Sequence, residues 1–367
     1  MRASRFTLVT MIVMAAACGP SGSSEPTDAG ASDAAVGPDA CVGGACLTTC
    51  ALAASRRSNL GCEFWAVDMP NLREELVYGV VISNPSDSQS ASVDVYDANG
   101  GGEQKLLTIS VRPREARTIP LSGTLGPVTG FYPDDSGIVG PGLVEGRAFR
   151  VVSSIPVIAA QFSPLGGAEG ATTDASLLLP THTLLDEYLV MAWDEGSAPG
   201  SSLVIVGTED ATELQITPST ATLSGPGVAA MTAGQTATLS IGRYDSLQIF
   251  PASSGDDLTG TQVVSDSPVA VFGGHECARV PSVNIAACDH IEEQMIPLAV
   301  WGKSYVGARN PQRGSESMVW RILGSTDGTT LQFDPPGALG ASGSVDRGEF
   351  LEFAEPGNFT VTASEPI

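Results

Sequence analysis

The stretch from Leu179 to Pro218 returns 117 residues later, altered but in register, and this duplication limits the folds open to the chain. Pro180 matches Pro297 and Tyr188 matches Tyr305. The segment Val204-Ile-Val-Gly-Thr-Glu-Asp-Ala-Thr-Glu-Leu-Gln-Ile-Thr-Pro218 aligns with Arg321-Ile-Leu-Gly-Ser-Thr-Asp-Gly-Thr-Thr-Leu-Gln-Phe-Asp-Pro335, with seven of fifteen positions identical. A related element occurs three times, as Val151-Val-Ser-Ser-Ile-Pro156, Val263-Val-Ser-Asp-Ser-Pro268 and Val361-Thr-Ala-Ser-Glu-Pro366. Repeats of this length imply tandem modules, each with its own core. Blades of a propeller recur about every 40–50 residues, less than half this period, so the propeller is the weaker alternative.

Short runs of Val, Ile, Leu, Thr and Phe alternate with Gly, Pro, Asn and Asp about every ten residues, the pattern of antiparallel β structure. The 42 glycines and 25 prolines leave little room for long helices. The sequence therefore predicts an all-β chain of tandem antiparallel β-sandwich-like modules, at 63–165, 166–278 and 279–367. Each would contain a strand, a polar turn and a second strand read as a hairpin, near Val80, Val204 and Arg321. Asp327-Gly328 favours a tight turn with positive φ; Asp210-Ala211 predicts a different turn type. Proline cannot donate to a ladder, which places Pro156, Pro268 and Pro366 at strand starts or edges. The third copy stops at Pro366-Ile367, where the others continue into an apolar strand, so a truncated module with an unpaired edge is expected. One short helix is expected at Asp289–Ile296, capped by Asp289 and stopped by Pro297.

The N-terminus reads as an export signal over residues 1–18: Arg2 and Arg5, an apolar run from Phe6 to Ala17, then Cys18. Ala15-Ala16-Ala17-Cys18 resembles the lipobox of bacterial lipoproteins, although Ala15 stands where Leu is usual. That resemblance implies acylation of Cys18 and a lipid anchor as the protein's contact with a membrane. Gly19 rather than Asp implies sorting to the outer membrane. Residues 19–40 lack aromatic and basic side chains and form a flexible tether, reaching about 25 Å as a random coil. A cysteine-rich segment follows at 41–62.

Eighteen basic and forty-one acidic side chains leave a net charge of −23, which repels nucleic acid. Six cysteines remain beside Cys18. An even number in an exported chain suggests disulfides. Cys277 and Cys288, isolated from the rest, are paired with each other, a bridge worth up to ~3 kcal/mol. Cys41, Cys46, Cys50 and Cys62 leave three pairings open. Their spacing lacks the paired C-x2-C knuckles of zinc sites.

Chemistry-bearing residues are sparse. His275 and His290 flank the proposed bridge with Glu276, Asp289, Glu292 and Glu293 nearby, yet no H-E-x-x-H helix holds them, and packing is the preferred role. His182 stands apart. Gly302-Lys303-Ser304 lacks the glycine a phosphate loop needs four residues earlier. Asp134-Asp135 and Asp256-Asp257 read as solvated loop charges. Trp65, Trp193, Trp301 and Trp320 read as core or inter-module packing. No catalytic, metal-binding or cofactor-binding residue is assigned, and no cofactor is expected.

The run Val269-Ala-Val-Phe-Gly-Gly-His-Glu-Cys-Ala-Arg-Val-Pro281, with Ala287-Cys-Asp-His-Ile-Glu-Glu-Gln-Met-Ile-Pro297 and Trp301-Gly-Lys-Ser-Tyr-Val306, resembles the IgGFc-binding domain family. The resemblance covers residue 62 to the end. It implies an extracellular, non-enzymatic module for binding or adhesion to a protein or glycan, and transfers no ligand residues. The alternatives are a surface polysaccharide hydrolase using two loop carboxylates, or a passive envelope component.

Overall fold

The computed structural model describes residues 41–42, 45–71, 76–125, 128–129, 140–165, 173–196, 200–311, 318–337 and 339–367. Cys18, the tether and Asp134-Asp135 lie outside these. A two-residue ladder, β1 (Cys41–Val42) with β2 (Ala45–Cys46), precedes a short helix, α1 (Cys50–Ser55), in which the Thr49 side chain caps Leu52 N–H. Cys41 and Cys46 are register partners across the ladder, and Cys50 is bonded to Cys62. No helix of the described residues is long and apolar enough to cross a membrane.

Three β-sandwiches follow, built to one plan. In the first, one layer runs β3 (Gly61–Ala66), the first half of β11 (Phe149–Ser163), β5 (Ala91–Asp97) and β6 (Gln104–Val111). The other runs β7 (Ala116–Pro120), β4 (Gly79–Ser83), the second half of β11 and β12 (Asp174–Leu178). Strand β11 changes layers around Pro156, between Ser153, which pairs with β5, and Ile158, which pairs with β4. Its missing N–H falls where no ladder bond is needed. A small hairpin of β8 (Thr124–Leu125) and β9 (Val128–Thr129) lies between β7 and β11.

The second sandwich repeats this with β13 (Glu187–Leu189), β18 (Gln262–Ser265), β15 (Thr212–Thr217) and β16 (Ala237–Ile241) in one layer. Its other layer is β17 (Ser246–Ile249), β14 (Ser201–Gly207), β19 (Val269–Ala278) and β20 (Asp289–Gln294). The third has β21 (Ser304–Gly307), β26 (Phe359–Ala363), β23 (Thr329–Gly337) and β24 (Gly340–Val345) facing β22 (Val319–Leu323) and β25 (Phe350–Ala354). Pro180 and Pro297 have similar backbones, φ/ψ −67°/148° and −56°/139°, and each opens a 3-10 turn, Thr181–Thr183 and Leu298–Val300. The sheets set the seams later in the chain than the repeat boundaries do: β12 pairs with β11 of the first module, and β20 with β19 of the second.

Three sequence expectations are corrected. The strand pairs near Val80, Val204 and Arg321 are not hairpins, because β4 and β5, β14 and β15, and β22 and β23 belong to opposite layers. The chain arches over the sandwich edge, so Leu203 and Ile205 face Leu214 and Ile216 across one core. Asp289–Gln294 is a strand rather than a helix. Its burial alternates, with His290, Glu292 and Gln294 inward, and pairing with β19 overrides the local cap signal. Finally, Asp210-Ala211 makes the same kind of turn as Asp327-Gly328: φ is 57° at Ala211 and 69° at Gly328. The two aspartates play one part, accepting from the backbone N–H of Arg243 and Arg347.

The first two modules share a core. Every residue of β14 is buried. Leu203 and Ile205 point into the second sandwich, while Val204 and Val206, with Ala270 and Phe272 of β19, join the cluster that holds Phe64, Trp65 and Phe149 of the first. Trp65 meets Tyr244 edge-on at 4.9 Å. The segment β10 (Gly142–Val144), from the first module's last long connection, adds an edge strand to β17 of the second.

A left-handed backbone disfavours alanine by about 1 kcal/mol relative to glycine. Ala211→Gly is therefore expected to raise unfolding stability by about 1 kcal/mol, and Gly328→Ala to lower it similarly, since nothing lies within 4 Å of a Cβ built there. Urea titration of both variants measures this.

Candidate functional site

Beside β22 the third module opens into a groove of about 660 Å³. Its floor is Trp320 and Ile322 of β22 with Phe359 and Val361 of β26; one wall is Tyr305 and Val306 of β21. The facing wall comes from the earlier modules: Leu177, Leu179, Leu189, Met191, Met295 and Ile296. Large apolar side chains stand open here, with Val306 71% exposed, Ile296 55%, Val300 50%, Tyr305 44% and Leu177 41%. A contiguous apolar patch on a rigid scaffold marks an interaction surface. A second cleft of about 380 Å³, lined by Trp193, Val280 and Val319, continues along the same strand past Arg321.

Arg321 sets the spacing between the second and third modules. Its guanidinium donates to Asp257 Oδ2 and to the Ala192 carbonyl at 2.7 Å, to Asp194 Oδ1 at 2.9 Å and to Glu352 Oε2 at 2.8 Å. It lies 4.0 Å from the Trp193 ring centre and 4.6 Å from that of Phe350. The planar fork and flat face of arginine suit this combination of acceptors and rings. Arg347 adds a bond to Glu187 at 2.6 Å. Asp257 is thus a half-buried anchor, not the solvated loop charge its Gly- and Ser-rich surroundings suggest, and Asp256 accepts from Thr220. Sequence reasoning missed Arg321. The available signal was an arginine in an apolar strand whose repeat counterpart is Val204.

Behind the groove, β12 and β20 run side by side, joined through side chains. Asp174 Oδ2 accepts from Glu292 N–H at 2.8 Å and Asp289 Oδ1 from Thr173 N–H at 3.0 Å. Gln294 Oε1 accepts from Leu179 N–H at 2.6 Å. Ser176 Oγ accepts from Gln294 N–H and donates to Glu293. Buried Glu292 sits within 3.4 Å of His290 Nε2 and accepts from Gln161 Nε2, while Gln161 Oε1 accepts from the Tyr78 hydroxyl. Burial raises the Glu292 pKa. Burial opposes the charge on His290, but Glu292 outweighs it and the net shift is upward. Glu293 reaches solvent through the groove, yet the apolar walls and the Asp174 and Glu292 carboxylates lift it to about 7.

The other sequence candidates are placed as follows. Cys277 and Cys288 are bonded, closing a loop that exposes Val280, Val283 and Ile285. His275 is buried with Nδ1 accepting from Cys277 N–H, and burial lowers its pKa to about 4. His182 Nε2 lies 2.9 Å from the Ser58 carbonyl. Among the described residues no three His, Cys, Asp or Glu side chains are placed to hold a metal together. Lys303 bonds the Ser364 carbonyl and Glu365. Trp65 and Trp320 pack in cores, Trp193 at the Arg321 joint, and Trp301 beside the groove, donating to the Ile296 carbonyl.

Two outcomes follow. Removing Arg321 strands the largely buried Asp257 carboxylate, a loss of about 3 kcal/mol. Arg321→Ala should therefore release the third module in a separate early urea transition, and Arg321→Lys, without fork or stack, should restore little. Glu293, with its pKa raised in the fold, contributes stability below its unfolded value near ~4.3. That contribution fades as pH rises through about 7. Glu293→Gln should flatten the decline in urea midpoint between pH 5 and pH 8; an unchanged profile would remove Glu293 from this role.

The family model of the IgGFc binding protein matches residues 174–367, from β12 to the end of the third module. A human protein named IgGFc-binding protein is 27% identical over 193 residues, covering 51% of this chain. The chain spans 3% of that protein's length. No solved structure matches. The matched region contains both walls of the groove, Arg321 and the Cys277–Cys288 bridge. The chain belongs to the IgGFc-binding protein family.

Proposed function

We propose that the chain is an exported, non-enzymatic binding protein that engages an extracellular protein at the groove beside β22, in an adhesive role. The observation that carries this is the cluster of exposed aliphatic and aromatic side chains at that groove, held by a sandwich scaffold and the Arg321 clamp. An apolar lining with few polar groups favours a polypeptide over a glycan, whose hydroxyls need polar partners. The human relative's name refers to binding the Fc part of IgG, which supports an extracellular protein as the ligand class. Disulfides at Cys50–Cys62 and Cys277–Cys288 suit an oxidising location. The Ala15-Ala16-Ala17-Cys18 run supports lipid attachment at Cys18, with residues 19–40 as the leash that presents the modules from the outer membrane.

The test is an array of extracellular proteins and glycans probed with the full chain and with Ile296→Asp. A protein hit weakened at least ~10-fold by the substitution is expected, the size of one lost anchor contact. Hits confined to glycans, or a protein hit indifferent to Ile296→Asp, would overturn the assignment. Mass spectrometry of the mature N-terminus checks the anchor: unmodified Cys18 ends it.

A further inference from the structure

We propose that the joint between β12 and β20 is operated by protons: it is tight in mildly acidic medium and loosens as the pH rises, through the carboxylates of Asp174, Glu276 and Glu292 gathered about the imidazole of His290. This holds whatever the groove binds. Three observations carry it.

The first is how the joint is made. Strands β12 and β20 are the outer strands of their layers, and no backbone ladder joins them. Four amides cross to side-chain acceptors instead: Thr173 N–H to Asp289, Glu292 N–H to Asp174, Gln294 N–H to Ser176 and Leu179 N–H to Gln294. A carboxylate acceptor titrates, whereas a backbone carbonyl does not.

The second is crowding. A bulge in β19 sets Glu276 and Cys277 opposite the single residue His290. The side chains of His290 and Glu292 are both wholly buried and 3.4 Å apart, and Asp174 reaches Glu292 N–H from β12. Glu276 Oε2 and Glu292 Oε1 are buried with no hydrogen-bond partner among the described residues. Three carboxylates thus share His290 as the cation that acts on all of them. An excess of buried negative charge is relieved by taking up a proton.

The third is that the groups agree in sign. Burial raises the pKa of Asp174, Glu276 and Glu292 alike. Burial opposes the charge on His290, but Glu292 and Asp174 carry its net shift upward. A group that holds its proton more tightly in the fold adds stability below its unfolded value, about 4 for a carboxylate and about 6.5 for histidine. That stability fades as the pH rises through the folded value, so all four groups loosen the joint together.

The neighbouring groups leave this direction standing. Gln161 and Tyr78 of the first module are neutral, burial holding the Tyr78 hydroxyl well above its usual value, and Asp68 beyond them accepts from Ser122. Asp289 is exposed. Glu293, on the outward face of β20 in the cleft that Arg321 borders, is raised in the same sense. His275, lowered to about 4 by burial, acts in the opposite sense, but it bonds within β19 to Cys277 N–H and not across the joint.

Hydrogen exchange of the full chain tests this, with each rate divided by the intrinsic rate at that pH. Between pH 5 and pH 8 the protection of the Leu179, Glu292 and Gln294 amides is expected to fall at least ~10-fold, the equivalent of one pKa unit. The amides of β23, in the third core, should keep theirs. Glu292→Gln should reduce the fall to under ~3-fold; if that variant does not fold, Glu276→Gln, at a half-buried position, should at least halve it. Ser176→Ala removes an uncharged acceptor from the same joint and should lower protection equally at both pH values. Protection that stays level from pH 5 to pH 8, or a fall shared by β23, overturns the proposal. So does a fall that neither Gln variant reduces, or one that Ser176→Ala abolishes.

Discussion

Burial of β14 on both faces is the constraint from which the rest of the architecture follows. One face fills the second sandwich and the other fills the first, so two modules that could have been separate beads form one body. Each fully buried Val or Phe contributes about 1.5–3 kcal/mol relative to exposure. With the apolar contact fixing the distance between modules, weaker polar features become possible. The β10 segment reaches β17, and β12 and β20 come close enough to trade side-chain bonds.

The third module uses different chemistry at the equivalent strand. Arg321 stands at the repeat position of Val204 and turns outward to four oxygen acceptors and two rings. An arginine joint holds two modules at a fixed spacing without closing apolar surface between them. The groove lies beside this joint, walled by open aliphatic and aromatic side chains. At equivalent strand positions the two joints therefore use different chemistry, apolar at Val204 and cationic at Arg321.

Much of the fold was legible. The alternation Thr-Glu-Leu-Gln-Ile has the period of a half-buried strand, and β15 buries Leu214 and Ile216 while Glu213 and Gln215 face water. The wholly apolar Leu203–Val206 run was a sign of burial on two faces. The arches were not legible, because a strand that turns back beside its neighbour and one that crosses to the opposite layer show the same alternation. Asp289–Gln294 was misread because an acidic cap signal is local, whereas its partners on β19 lie 11 to 22 residues earlier. Ala211 was misread because alanine gives no sign of a left-handed backbone that the surrounding arch imposes. Of the site, Tyr305 could be picked out as the repeat match of Tyr188, while the exposure of Ile296 and Val306 could not.

The sequence by itself determined the repeat, the all-β class, most strand positions and the isolated cysteine pair, since these depend on periodicity and spacing within short stretches. Tertiary structure alone decided which layer each strand joins, that Asp257 and Arg321 meet across 64 residues, and that β14 is buried on both faces. The reason is physical: periodicity reports which side chains avoid water, but only the assembled sheets decide what they meet instead.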